Sequence, residues 1–213
     1  MRLKVDFLLS QADLAAEDRQ AFLQELMDDN TRAADIIAQL RSFLRHGSGQ
    51  LKSLALDQVV NEALHMVKAE IERQHVQLLH KVTPDTSVMA VEGQLQMVVL
   101  NLLKNAVDAM KPVSARHVLK VNLSSSTSGV VLTVSDSGPG IPEAQWERVF
   151  DMFYTTKPEG MGLGLWLSRS IVQSQGGSIT VSRSPLGGAL FTLSWPRIAS
   201  TANSVDAAKA QTP

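Results

Sequence analysis

GQLQMVVLNLLKNAVDAM, residues 93–110, carries Leu95, Val98, Val99, Leu102, Leu103 and Val107 at three- and four-residue steps. That spacing predicts a long helix with one apolar side turned inward. Asn101, Asn105 and Asp108 stand at i, i+4 and i+7. They share a second face beside the apolar one. Amide and carboxylate oxygens are hard ligands, and Mg²⁺ commonly takes one or two protein oxygens plus phosphates and waters. Taken alone, the polar stripe also fits a solvated helix face.

Outward from this helix, residues 52–197 read as one α/β domain. Asp57 is expected to cap a helix running to about Gln74, with Val59, Val60, Ala63, Leu64, Val67 and Ile71 inward. Val76–Val82 alternates like a half-buried strand. His117–Ser124 and Gly129–Ser135 predict a hairpin joined by the turn STSG, and Gln145–Phe150 a short helical piece. Leu165–Gln175 predicts a helix stopped by Gly176-Gly177. Ser178–Arg183 and Ala189–Trp195 predict a closing strand pair around Ser184–Gly188. The expected architecture is an α/β sandwich: a mixed sheet with helices near 57–74, 93–110 and 164–175 on one face.

Residues 1–50 stand apart as a helical stem. Phe22, Leu26, Ala33, Ile37, Leu40 and Leu44 form a seam, ended by HGSGQ at 46–50. The seam suits either packing on the chain's own domain or a two-helix dimerisation stem. The polar tail 198–213 is expected to be disordered.

Two further segments carry chemistry. Asp136-Ser-Gly138-Pro-Gly140-Ile141-Pro142 follows an apolar strand. A carboxylate at a strand end accepts hydrogen bonds, and the glycines allow close backbone approach or positive φ. An ordinary tight turn fits as well. Phe150-Asp-Met-Phe153-Tyr-Thr155-Thr156-Lys157 leads into Gly160-Met-Gly162-Leu163-Gly164-Leu165 and a helix. Backbone N–H groups at a helix start attract phosphate, Lys157 adds a positive charge, and Thr155 or Thr156 a hydroxyl. The glycine spacing is neither the dinucleotide fingerprint nor the P-loop. It also suits a hinged flap.

Composition narrows the classes. The 213 residues include no Cys, which removes disulfide scaffolds, thiolate catalysis and zinc ribbons. Net charge −1 and 5% aromatics argue against a nucleic-acid partner. No apolar run approaches the roughly 20 residues that span a bilayer. No secretion signal is evident, so a cytoplasmic location and no membrane segment are expected.

The segments NLLKNAVDAM, VSDSGPGIP, FDMFYTTKPEGMGLGLWLSRSIVQSQGG and GGALFTLSWP, over about Asn101–Pro196, resemble the conserved boxes of sensor histidine kinase catalytic domains. That family belongs with the heat-shock-90, gyrase B and MutL ATPases. The resemblance implies ATP and Mg²⁺ as ligands, with γ-phosphoryl transfer to a histidine and relay to a response-regulator receiver domain. It implies Asn105 as the Mg²⁺ ligand, Asn101 near the phosphates and Lys157 at a terminal phosphate. Asp136 would read the adenine amine. Gly138, Gly140, Gly162 and Gly164 would shape the lid and its hinges. Asp108, Ile141, Thr155, Thr156, Gly160, Leu163 and Leu165 would line the same pocket, and Thr192 would lie near the adenine. Chaperone and gyrase relatives carry a water-activating Glu where Asn101 stands. An amide is no general base, which favours transfer over hydrolysis.

The sequence departs from the family at the acceptor. His46, His65, His75, His80 and His117 are followed by Gly, Met, Val, Lys and Val, and none fits the acceptor pattern. LMDDNTRAADIIAQLRSFLR resembles the second helix of the dimerisation hairpin. The chain is therefore expected to begin just after the acceptor His, with autophosphorylation of this polypeptide alone not expected and homodimerisation weakened. Two alternatives stand: an ATP hydrolase of the chaperone or gyrase type, and a nucleotide-binding regulatory module without kinase activity.

Overall fold

The computed structural model describes residues 20–24, 26–27, 30–31, 49–83, 86–113, 116–157 and 160–197. Of the stem's described residues, 20–24, 26–27 and 30–31 are helical and 49–50 are not. The rest of the stem and the tail 198–213 lie outside the described residues, as do Ala33, Ile37, Leu40 and Leu44 of the predicted seam.

In chain order the elements are β1 (Lys52–Ala55), α1 (Leu56–Arg73), β2 (Gln77–Val82), β3 (Ser87–Ala90) and α2 (Glu92–Met110). β4 (Val118–Ser126), β5 (Gly129–Asp136), α3 (Gly164–Ser174), β6 (Ser178–Arg183) and β7 (Ala189–Trp195) follow. The predicted helical piece at 145–150 is instead two 3-10 turns, Glu143–Gln145 and Arg148–Phe150.

The main sheet runs β2-β4-β5-β7-β6, with β2 parallel to β4 and the remaining pairs antiparallel. Register puts Val121, Val134 and Phe191 in one row and Leu123, Leu132 and Leu193 in the next. All six are buried beneath the helices. α2 lies between α1 and α3 and against β5. Its predicted inward residues are all buried, and so are those of α1. The mixed sheet with helices on one face is therefore as the sequence predicts.

Three further details differ. β1 and β3 form a separate antiparallel pair that the sequence reading missed. α1 begins at Leu56 with Ala55 as its N-cap and no side-chain cap, so Asp57 is not the cap. Asp57 sits in the first turn, where its N–H donates to Thr86 Oγ1 (3.3 Å) and its Oδ1 accepts the Thr86 hydroxyl (3.1 Å). The Leu56 N–H donates to the Thr86 carbonyl, so a buried residue distant in sequence closes this helix end. Finally, β2 is an exposed edge strand, not a half-buried one. It has a neighbour on one side only, and Leu78 and Leu79 remain exposed.

α3 ends where the sequence predicts. Gly176 has φ +75° and no atom near the position a Cβ would take. Only its backbone conformation therefore constrains the residue. Gly176→Ala is expected to lower stability by about 1 kcal/mol, read as an earlier urea midpoint with unchanged slope.

Candidate functional site

The polar stripe of α2 is the spine of the site. Its members form a relay of hydrogen bonds along the helix. Asn101 Nδ2 donates to Ser168 Oγ of α3 at 3.0 Å, and the Ser168 hydroxyl donates to the Gly164 carbonyl at 2.9 Å. Asn105 Nδ2 lies 3.5 Å from Asn101 Oδ1, at the limit of a hydrogen bond. Lys157 Nζ donates to Asn105 Oδ1 (3.2 Å) and Asp108 Oδ2 (3.0 Å). Asp108 Oδ1 accepts from Lys111 Nζ at 2.6 Å. Burial pushes the Asp108 carboxyl up, but Lys111 and Lys157 together outweigh it and hold it below its ordinary value.

Gly164 lies so near this stripe that a Cβ would stand 2.5 Å from Asn101 Oδ1. Gly138 is similarly close to the other end of α2, where a Cβ would meet the Ala109 carbonyl at 3.1 Å. These two glycines provide close approach; neither has a positive φ. Gly140 (φ +76°) and Gly162 (φ +68°) do occupy the left-handed region. Phe153 shares that region (φ 68°), exposes most of its ring and donates its N–H to the Gly162 carbonyl.

At the end of β5, Asp136 is buried. Its Oδ1 accepts the N–H groups of Gly138 (2.8 Å) and Ala189 (3.2 Å). The Gly188 N–H donates to its backbone carbonyl. Oδ2 has no hydrogen-bond partner among the described residues. Burial raises the Asp136 carboxyl above its ordinary range, partly offset by the two amides. Oδ2 is not among the fully buried unpartnered atoms, so solvent reaches it and a ligand's donor can take the place of water there.

Other expected residues distribute unevenly. Ile141 and Leu165 pack at the edge of the core, and Leu163 is buried. Thr155 is committed locally: its hydroxyl accepts the Lys157 N–H and donates to the Lys157 carbonyl. Thr156 is exposed, and a Cβ on Gly160 would strike Thr155 Oγ1. Thr192 is a correction. It pairs with Thr133 and Thr180 on the sheet face away from the helices, whereas Phe191 and Leu193 face inward. The residues that reach Asp136 are Gly188, just before β7, and Ala189, its first residue, neither of which was expected; nor was the buried Ser168.

Among the described residues no group of three or more His, Cys, Asp and Glu could hold a metal ion. The oxygens of Asn105 and Asp108 nevertheless converge on one cation, the Lys157 ammonium. A hard-oxygen pair of this kind fits a magnesium ion completed by phosphate and water.

Residues 90–199 match the histidine kinase-, DNA gyrase B-, and HSP90-like ATPase family. The chain belongs to this ATPase family. Its relatives include a sensor histidine kinase, TmoS, and a sensor protein, FixL. TmoS of Ectopseudomonas mendocina is 36% identical over 179 residues, which cover 82% of this chain and 18% of TmoS. FixL of Bradyrhizobium diazoefficiens is 32% identical over 178 residues, 83% of this chain and 35% of FixL. The chain thus spans about a fifth to a third of the length of these curated relatives. The catalytic domain of histidine kinase ThkA superposes with TM-score 0.63 at 27% identity, covering 70% of this chain and 96% of that domain. A structure of ThkA with the response regulator TrrA shares the fold at TM-score 0.62 and 20% identity, covering 92% of this chain and 57% of that one. The chain is accordingly a histidine kinase-type ATPase domain. No helix among the described residues is long and apolar enough to cross a membrane.

Proposed function

We propose that this ATPase domain binds Mg·ATP along α2 and delivers the γ-phosphoryl group to a histidine of a sensor kinase, for relay to a response-regulator Asp. The observation that carries the reading is Asp136, a buried carboxylate with one oxygen held by two backbone amides and the other without a partner. It would accept the exocyclic amine of adenine. From Ala109, beside that carboxylate, to Asn101 the helix rises about 12 Å, the scale of an extended nucleoside triphosphate. Asn101, Asn105 and Lys157 then fall at the phosphate end.

Asn105 would hold the magnesium ion through Oδ1, and the ion would neutralise charge on the phosphate oxygens when bound. Lys157 would meet the terminal phosphate. The α3 start at Gly164, close against Asn101, adds N–H groups facing anions. In transfer, an imidazole nitrogen bonds to the γ-phosphorus as its bond to the β–γ bridging oxygen breaks, and ADP leaves with that electron pair. The domain supplies positioning and charge neutralisation. Asn101 has its amide committed to Ser168 and offers no carboxylate to activate water, which supports transfer over hydrolysis.

No histidine of this chain has the acceptor pattern, so the test supplies one. Incubation with Mg·ATP and a separate acceptor-bearing histidine kinase stem is expected to give an acid-labile phosphate on the stem. Asn105→Ala is expected to cut that transfer about 100-fold and to abolish the gain in ADP affinity that Mg²⁺ provides. Steady phosphate release without an acceptor would instead identify a hydrolase. Nucleotide binding with no transfer to any stem would identify a regulatory module.

A further inference from the structure

We infer that Asp108 is a positioning residue that clasps the glycine-rich lid shut on α2, holding the Lys157 ammonium on Asn105 in place of a divalent cation. The inference rests on the nucleotide reading above and assigns Asp108 a role other than direct ligation. Lys157 is the only described lid residue whose side chain is hydrogen-bonded to α2, and both of its bonds end there. The turn that carries it is fixed from within by Thr155, so the contact holds a structured loop rather than one side chain. Asp108 in turn is held by Lys111, which also lies 3.8 Å from Glu70 of α1. The anchor is therefore attached to two helices.

The geometry makes two cations rivals for one amide oxygen. A magnesium ion arriving on Asn105 Oδ1 must expel the ammonium, because two cations within bonding distance of one oxygen repel. The displaced Lys157 carries its charge to the incoming phosphates. Lid release and metal loading thus become a single exchange, in which Asp108 sets how firmly the lid is held beforehand.

Hydrogen exchange on the nucleotide-free chain tests the clasp without relying on activity. Asp108→Asn and Lys157→Gln are each expected to speed exchange at the amides of Phe153, Lys157 and Gly160 about two- to fivefold, the range for a partly exposed ion pair. The double variant should be no faster than either single one. Lys111→Gln should speed them by less, because it loosens the brace on Asp108 but leaves the Asp108–Lys157 pair in place. Metal-free ADP should bind Asp108→Asn more tightly than the unsubstituted chain, by the same factor, because Lys157 is already released. Unchanged lid exchange in Asp108→Asn would overturn the clasp, and so would weaker ADP binding by that variant in the presence of Mg²⁺ alone, which would make Asp108 a metal ligand instead. Absence of ADP binding by the unsubstituted chain would overturn the nucleotide reading, and the exchange rates would still decide the clasp.

Discussion

Asp136→Asn is expected to weaken ADP binding about 100-fold or more while leaving the fold as stable as before or more so. The two effects have one cause. The Asn carbonyl can take over Oδ1 and accept the Gly138 and Ala189 amides. Its amide nitrogen then stands where Oδ2 stood and presents N–H to the adenine amine, donor against donor. A lost charge-assisted hydrogen bond together with an unpaired donor amounts to about 3 kcal/mol, or two orders of magnitude in Kd. Folding loses little, because burial already disfavours the Asp136 charge.

The pH dependence follows with a definite sign. A carboxyl whose folded value is raised contributes stability that is present below its unfolded value and is lost as pH climbs through the folded value. Asp136→Asn lacks that loss. Its thermal midpoint should gain on the unsubstituted chain as pH rises from about 4, and the gap should level off once Asp136 is fully ionised. Asp108 works in the opposite direction: its lowered value contributes stability above the ordinary carboxylate range that is lost on acidification. Calorimetric titration with ADP and melting curves across pH check both halves. Unimpaired binding by Asp136→Asn would remove the adenine assignment.

Gly188→Ala should be strongly damaging. A Cβ there would stand 2.0 Å from Asp136 Oδ1, 2.5 Å from the Asp136 carbonyl and 2.6 Å from the Gly138 N. All three belong to a buried, hydrogen-bonded junction between β5, its loop and β7, and none is the free end of a flexible chain. Overpacking of this kind costs about 3 kcal/mol, roughly 10 °C in Tm for a domain of this size. Nucleotide binding should fall with it, since the displaced carboxylate is the adenine acceptor. Gly187→Ala is the control. Its φ is +104°, but nothing lies within 4 Å of an added Cβ, so only backbone strain of about 1 kcal/mol applies. Equal melting temperatures for the two variants would contradict the packing argument.

How much of this was readable in the residues varies with the range of the interaction. The α2 stripe was legible because core face and polar face lie within one helix and share one period. The strand pair β6–β7 was legible because its turn is short. β1 and β3 were not: four residues each give no periodicity, and their pairing joins Lys52 to Ala90 across a helix and a strand. The closure of α1 by Thr86 was hidden for the same reason. Thr192 was misplaced although the signal was present. Phe191, Leu193 and Trp195 alternate as an inward set, and that parity turns Thr192 outward. Gly188 and Ala189 contribute backbone amides, which no side-chain motif displays. The close approach of Gly138 and Gly164 to α2 was hidden because a glycine that serves flexibility and one that serves lack of bulk are spelled alike.

That α2 carries both the centre of the core and the polar spine of the site also sets which changes the domain can absorb over time. Each residue of a helix turns about 100°. Substitutions along α2 can be weighed one by one, but a single inserted or deleted residue would turn every residue on one side of it, polar and apolar alike, about 100° against those on the other. Either the apolar face would leave the sheet or the polar face would leave the site. Descendants of this chain can thus drift in the composition of α2 but not in its length, whereas the lid is held at separate points, Lys157 and Gly162, that no helical phase links.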